Sequence, residues 1–341
     1  MGSDIVIHGG DIFDKDILYD FSSNVNPLGM PENVRKILVS SVDLWERYPD
    51  CKCRELIKKL SVYENISPEN IVCGNGADDL IFRIKYALNP KKILICEPTF
   101  SEYERAFSDS DIKKYILKEE NNFNIQGDIL NYINDIDMMI ICSPNNPTGI
   151  IPDINIIKSI AEKCMEKNII LLCDECFLDF AENAENLSIK NYLNKNTIIL
   201  KAFTKIYAMA GLRLGYALFG DSKTAEKIKN TGQFWSVSYP AQTAGIYALD
   251  EKNYIKNTVK YIKREREYLT ENLRKYNIKV FDSSVNFILL KTDIPLYDIL
   301  LKDKILIRKN LSGLDDKFYR MTVRTHEENE YFINTIKKGL K

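Results

Sequence analysis

Seven short apolar runs, at 71–73, 92–96, 114–117, 137–142, 169–173, 197–200 and 214–218, punctuate the chain, and helical patterns such as 77–88 and 155–167 lie between several of them. Strand alternating with helix predicts an α/β unit on a largely parallel sheet, because parallel strands need a crossover to join them. Such sheets bind ligands at the C-terminal ends of their strands. The unusual residues of this chain cluster just there. Gly74-Asn75-Gly76 follows the first run and Glu97-Pro98-Thr99-Phe100 the second; Ser143 to Gly149 follows the fourth, Asp174-Glu175 the fifth, and Thr204-Lys205 the sixth.

The last third has a different character. A charged helical pattern runs from about 239 to 276, followed by strand-like runs at 279–281, 287–291, 305–308 and 319–324 interleaved with helices, which predicts a smaller α+β domain. The 341 residues, 45% of them hydrophobic, allow one large or two moderate domains. A net charge of −1 gives no basic face for nucleic acid. No apolar run approaches the ~20 residues needed to span a bilayer. The opening MGSDIVIHGG lacks the basic and apolar regions of a secretory leader, so a cytoplasmic protein is expected. Eight cysteines read as mostly buried reduced thiols; Cys173 and Cys176 could form a redox pair, but the residue after Cys173 suggests another use for that stretch. Cys51 and Cys53 lack matching ligands for zinc, and two histidines exclude a multi-histidine metal centre.

The chemistry centres on TKIYAMAGLRLGY, residues 204–216. The Lys205 amine can condense with an aldehyde cofactor, while Thr204 and Arg213 can hold that cofactor's phosphate. Pyridoxal phosphate needs both grips. Asp174, after the run IILLC, is costly at a buried strand end unless paired; it is either a cap or ion-pair residue, or the partner of a protonated ring nitrogen. Asn146 lies in the turn SPNNPTG. Gly76 and Ala77 open a helix whose N-terminal amides can bind phosphate. Phe100 is either a core residue or a ring that stacks on the cofactor.

Glycine turn, aromatic, asparagine, aspartate, lysine and arginine, in this order at successive strand ends, resemble the fold-type-I pyridoxal-phosphate enzymes of the class I/II aminotransferase group across nearly the whole chain. The resemblance implies a large domain over 40–245, with a mostly parallel seven-stranded sheet between helices. A small α+β domain would form from 1–39 and 246–341. It implies that Lys205 carries the cofactor, Asp174 pairs with the ring nitrogen, Asn146 contacts the ring oxygen and Phe100 stacks. Gly76, Ala77, Thr204 and Arg213 would hold the phosphate. Members are usually homodimers, and Tyr48 in ERYPD matches a tyrosine that reaches the partner's cofactor phosphate; without the resemblance it reads as a surface or core tyrosine.

Two branches fit, histidinol-phosphate aminotransferase and threonine-phosphate decarboxylase. His8-Gly9-Gly10, DFSSNVNPLGMP at 20–31, and GLD…YR…VRT…EN near the end look like the decarboxylase, which supplies aminopropanol phosphate for cobalamin synthesis. Phe177, where the aminotransferase branch usually has tyrosine, points the same way; Lys309-Asn310 after Arg308 departs from the decarboxylase pattern. By this resemblance Arg320 anchors a substrate carboxylate and Arg308 a substrate phosphate, His8 helps with that phosphate, and Asn24 or Asn26 orients the substrate. Arg324 either extends the anionic pocket or is a surface charge. The expected activity is decarboxylation of O-phospho-L-threonine or a close phosphoamino acid. An aminotransferase is the alternative, and a non-enzymatic cofactor-binding regulator is disfavoured by the full set of catalytic residues.

Overall fold

A computed structural model describes residues 8–340, so most of the opening segment read for a leader lies outside the described residues. The strands, in chain order, are β1 (Tyr19–Asp20), β2 (Ile71–Gly74), β3 (Lys92–Glu97), β4 (Asp111–Ile116), β5 (Met138–Cys142), β6 (Ile170–Asp174), β7 (Thr197–Ala202), β8 (Gly215–Phe219), β9 (Lys279–Val280), β10 (Phe287–Lys291), β11 (Ile305–Leu306) and β12 (Phe318–Thr322). β2 to β8 make one seven-stranded sheet in the order β2-β8-β7-β6-β5-β3-β4. β3 to β7 run parallel, and β8 lies antiparallel between β7 and β2.

The central strands are apolar on both sides because helices cover both faces. Met139 and Ile141 of β5 enter one core, while Met138, Ile140 and Cys142 enter the other. The helix Ala77–Leu88 buries Leu80, Ile81 and Ile84, the spacing that fixes one face on the sheet, and Asn89 ends it in the left-handed conformation. The two largest departures from expectation concern β4 and the long helical stretch. β4 starts at Asp111 rather than 114, because this edge strand exposes Asp111, Lys113 and Lys114 and so carries little apolar signal. The helical stretch from 239 is two helices, Tyr239–Ala248 and Lys252–Leu273. Neither glycine nor proline marks the break. Its residues are instead tied to neighbouring helices, Asp250 to Lys59 and Glu251 to Asn33 (2.8 Å).

β12, β10 and β9 form an antiparallel sheet, and β1 pairs in parallel with β11. Phe21 joins the two: its N–H donates to Leu306 (2.8 Å) and its carbonyl accepts from Thr322 (2.8 Å). Arg308 and Arg320 exchange backbone hydrogen bonds of 3.0 and 2.9 Å, so these arginines emerge side by side next to residues 20–24.

Candidate active site

A cavity of about 420 Å³ opens at the C-terminal ends of β5, β6 and β7, where the last third of the chain closes over the sheet. Lys205 lies in the short helix Phe203–Ile206 that follows β7. Two lysines four residues apart have opposite environments. The buried Lys201 ammonium is within 3.7 Å of Glu64, 3.9 Å of Glu175 and 3.8 Å of Asp179, and this carboxylate cluster raises its pKa. Lys205 has no ion-pair partner among the described residues. Burial, then the Arg320 and Arg213 guanidinium charges, lower it to about 8. A lysine lowered this far, though still mostly a cation at pH 7, offers a larger share of the neutral, nucleophilic amine than an ordinary lysine.

Asp174 ends β6 and is buried. Its carboxylate accepts from the Tyr103 hydroxyl (2.7 Å) through one oxygen and from the Cys176 backbone N–H (3.0 Å) through the other. Both bonds fix its orientation and leave lone pairs facing the cavity. Burial, with Asp174 beside it, pushes the Tyr103 hydroxyl well up, so tyrosine is the donor of this pair. Cys173 and Cys176 do not act together: Cys173 is packed in the core, whereas Cys176 lines the cavity.

At another wall the helix Ala77–Leu88 points its N-terminus at the cavity with no side-chain cap on its first amides. Gly76 has φ +86°, and a Cβ there would lie 2.7 Å from the Arg213 guanidinium; a Cβ on Gly215 would lie 2.5 Å from the Ala77 nitrogen. Only glycine permits this close approach of strand, helix end and arginine. Arg213, itself left-handed (φ 57°), and buried Thr204 complete this wall. Open amides, a hydroxyl and a guanidinium are a donor set for phosphate. With Lys205 and Asp174 on the same cavity, and the Phe100 ring beside it, the residues fit pyridoxal phosphate.

On the closing side, Arg320 is buried and its terminal nitrogens donate to Asn146 Oδ1 (2.6 Å) and to the Ser22 carbonyl (2.7 Å). Its Nε–H is buried without a partner. Burial, then the neighbouring Arg308, lower Arg320 to about 9, and burial lowers Arg308 as well. Two desolvated guanidiniums that repel one another, with no carboxylate partner among the described residues, form a donor set suited to an anion. His8 meets Glu102 at 2.8 Å at the cavity rim.

Of the expected substrate residues, His8, Asn24, Arg308 and Arg320 line the cavity. Asn26 does not. Its amide is spent on Ile206 O (2.7 Å), Thr258 Oγ1 (2.9 Å) and the Leu28 N–H (3.0 Å), ties that anchor the 20–31 segment under Lys205. Arg324 is also off the cavity, held by Glu328 at 2.7 Å. Tyr48 is 79% exposed, away from its own chain's cavity, with its ring 4.7 Å from that of Trp235. Tyr103 and Asp78 were missed. Tyr103 lies 71 positions from Asp174 in a short helix with no local motif. Asp78, whose Oδ1 is buried without a partner, is raised by burial and then by Glu102; the pair DD at a helix start reads only as a dipole preference.

Residues 16–336 match the model of the family described as aminotransferase class I and II. The chain is 33% identical to threonine-phosphate decarboxylase of Salmonella typhimurium, over 98% of this chain and 96% of that one. It is 34% identical to histidinol-phosphate aminotransferase of Clostridium kluyveri, over 90% and 88%. The crystal structure of histidinol-phosphate aminotransferase from Clostridium acetobutylicum has the same fold, with a TM-score of 0.87, 32% identity, and coverage of 94% of this chain and 98% of that one. The chain therefore belongs to the class I and II aminotransferase family, whose cofactor is pyridoxal phosphate.

Proposed function

We propose that the protein decarboxylates O-phospho-L-threonine, or a close phosphoamino acid, to the corresponding amine phosphate, aminopropanol phosphate for the threonine compound. The observation that carries this reading is the pair Arg308 and Arg320, two adjacent guanidiniums with no carboxylate partner among the described residues, on the closing side of the cavity. A substrate with both a phosphate and a carboxylate satisfies both; histidinol phosphate carries only the phosphate. Phe177 on the cavity wall offers no hydroxyl to the ring oxygen, which supports the same reading.

When bound, pyridoxal phosphate supplies an electron sink for the pair released as a bond at the substrate Cα breaks. Gly76, Ala77, Thr204 and Arg213 would hold its phosphate, with Tyr48 of a second copy contributing across a homodimer. Asp174, oriented by Tyr103 and Cys176, would keep its ring nitrogen protonated, and Asn146 and Phe100 would hold the ring from the cavity wall. The Lys205 amine would hold the cofactor and would supply the proton that Cα gains. Arg320 grips the carboxylate through its unpartnered Nε–H and neighbouring N–H groups, and Arg308 takes the phosphate with help from His8. The docking of the two anions decides which Cα bond aligns for cleavage. The balance is one carbon dioxide lost and one proton gained at Cα.

An aminotransferase is the second reading, favoured by the 34% identity to an enzyme of that name. Amine phosphate formed from phosphothreonine without any keto acid supports decarboxylation. Product only when 2-oxoglutarate is present, with glutamate accumulating, refutes it. Among the described residues no helix is long and apolar enough to cross a membrane, in keeping with a cytoplasmic enzyme.

A further inference from the structure

Glu102 has no part in the reaction proposed above, yet it is buried (3% exposed) on the wall of the large cavity. It opens the short helix Glu102–Ala106 that follows β3. Both of its oxygens are engaged. Oε1 lies 2.8 Å from His8 Nε2, and Oε2 lies 2.6 Å from Arg105 Nε. A buried carboxylate is costly unless it is paired, and here two basic groups offset the cost. Arg105 comes from the same helix, its guanidinium steadied by the Phe82 ring 5.1 Å away. His8 comes from 94 residues earlier in the chain. Asp78 stands on the same wall, where burial and then Glu102 push its carboxyl up, which disfavours a second negative charge beside Glu102.

The backbone delivers His8 to this carboxylate. The Gly10 N–H donates to Ser22 Oγ (2.8 Å), and a Cβ on Gly9 would overlap the Ser22 carbonyl oxygen. Only glycine allows so close an approach. The same carbonyl accepts from Arg320. Residues 8–10 thus lie against the segment that Arg320 holds, and the imidazole spans from there to the helix after β3. A carboxylate only accepts hydrogen bonds, so His8 Nε2 carries the hydrogen of this contact, and Nδ1 is the nitrogen left for a ligand. His8, Glu102, Arg105 and Arg308 all line the one cavity.

We infer that Glu102 is a positioning residue for the substrate phosphate: it holds His8 at the cavity mouth so that the imidazole and Arg308 grip a phosphate monoester together. The inference rests on the phosphoamino-acid reading above. With phosphate at Nδ1 and Glu102 at Nε2, the imidazolium is the form that donates to both. Arg105 fixes the second oxygen of Glu102 and so limits how far the carboxylate can turn away. The contact therefore favours a phosphorylated substrate over the same substrate without its phosphate, and it leaves the bonds broken and formed at Cα untouched.

The test compares wild-type holoenzyme with Glu102→Gln, His8→Gln and the double variant. Phosphothreonine is followed by its KM and kcat, and free threonine by its binding, read from the absorbance of the bound cofactor. Glu102→Gln should raise the KM for phosphothreonine about 10-fold, the lower end of what a charged hydrogen bond contributes, because the amide oxygen still accepts. The kcat and the binding of threonine should stay within about 2-fold, and the double variant should be no worse than His8→Gln alone, since both changes break one contact. Equal weakening of both ligands, a fall in kcat at unchanged KM, or independent effects of the two substitutions overturns the inference. If Glu102→Gln does not fold, nitrogen resonances of the two histidines in wild-type holoenzyme decide, assigned with His8→Gln. His8 Nε2 should carry a hydrogen, and inorganic phosphate should shift His8 Nδ1 but not His326; a bare Nε2 or an unmoved His8 overturns the inference. A wild type that needs a keto acid to turn over phosphothreonine refutes the reaction reading, while the same comparison still decides the role of Glu102. A wild type that binds phosphothreonine no tighter than threonine overturns both.

Discussion

Replacing the central lysine should make the cofactor-free protein more stable. Lys205 is carried as a cation in a site that disfavours it, and Met keeps the length and apolar stem without the charge. The fall from 10.5 to about 8 corresponds to roughly 3.4 kcal/mol, at ~1.36 kcal/mol per pH unit. Lys205 keeps partial contact with solvent, which screens the penalty, so the expected gain for Lys205→Met is about 2–3 kcal/mol at pH 7. The sign has a pH signature. Below about 8 both folded and unfolded chains carry the proton and the folded state bears the full cost. Between about 8 and 10.5 the folded chain releases it while the unfolded chain retains it, so wild-type stability rises with pH relative to the variant. Above 10.5 the difference should vanish. Urea unfolding of both cofactor-free proteins from pH 7 to 10.5 reads this directly, and other titrating lysines cancel in the comparison. A variant no more stable than wild type at pH 7, or a gap that does not narrow with pH, would refute the account of a destabilised, activated lysine.

Borohydride reduction of the yellow holoenzyme should bleach it and leave the pyridoxyl group on Lys205 in peptide maps; an adduct on Lys201 would reverse the assignment. Asp174→Asn should keep the fold and bind cofactor but lose turnover on the order of 100-fold, since a neutral amide does not stabilise a protonated ring nitrogen; near-normal turnover would make Asp174 a structural cap for Cys176 and Tyr103. Arg308→Lys should weaken phosphothreonine binding by about 1.5–3 kcal/mol while leaving free threonine little changed, whereas Arg320→Lys should impair both; equal harm to both substrates by Arg308→Lys would remove it as the phosphate anchor. Mixing inactive Lys205→Ala with an impaired Tyr48→Phe chain should restore part of the activity through mixed dimers, and a fully active monomer in sedimentation would rule out the shared site.

The parallel sheet was legible because β3 and β5 to β7 are buried on both faces and so read as unbroken apolar runs. β4 was only half legible, since an edge strand mixes exposed charge with few buried residues. Ala77, Phe100, Asn146, Asp174, Thr204 and Lys205, which the structure brings to one cavity, were legible as candidates because they stand near strand ends, where short motifs and topology coincide; Tyr48 has no such position and lies off its own chain's cavity. The substrate side was less so. Asn24 and Asn26 share one motif and a near-identical pattern, yet one borders the cavity and the other is locked by the Ile206 carbonyl, 180 residues away. Arg324 lies four residues after Arg320 and beyond the end of β12, where Glu328 of the following helix captures it. Pairings of that range, like the Tyr103–Asp174 bond, are fixed by tertiary packing and leave no local trace.

The most direct test of the proposed reaction uses phosphothreonine labelled at its carboxyl carbon, incubated with wild-type holoenzyme in the presence of 2-oxoglutarate. The account predicts one labelled carbon dioxide for each aminopropanol phosphate formed, no glutamate, and little or no release from labelled free threonine. Glutamate accumulating in step with a retained carboxyl label would contradict it and establish transamination at the same site.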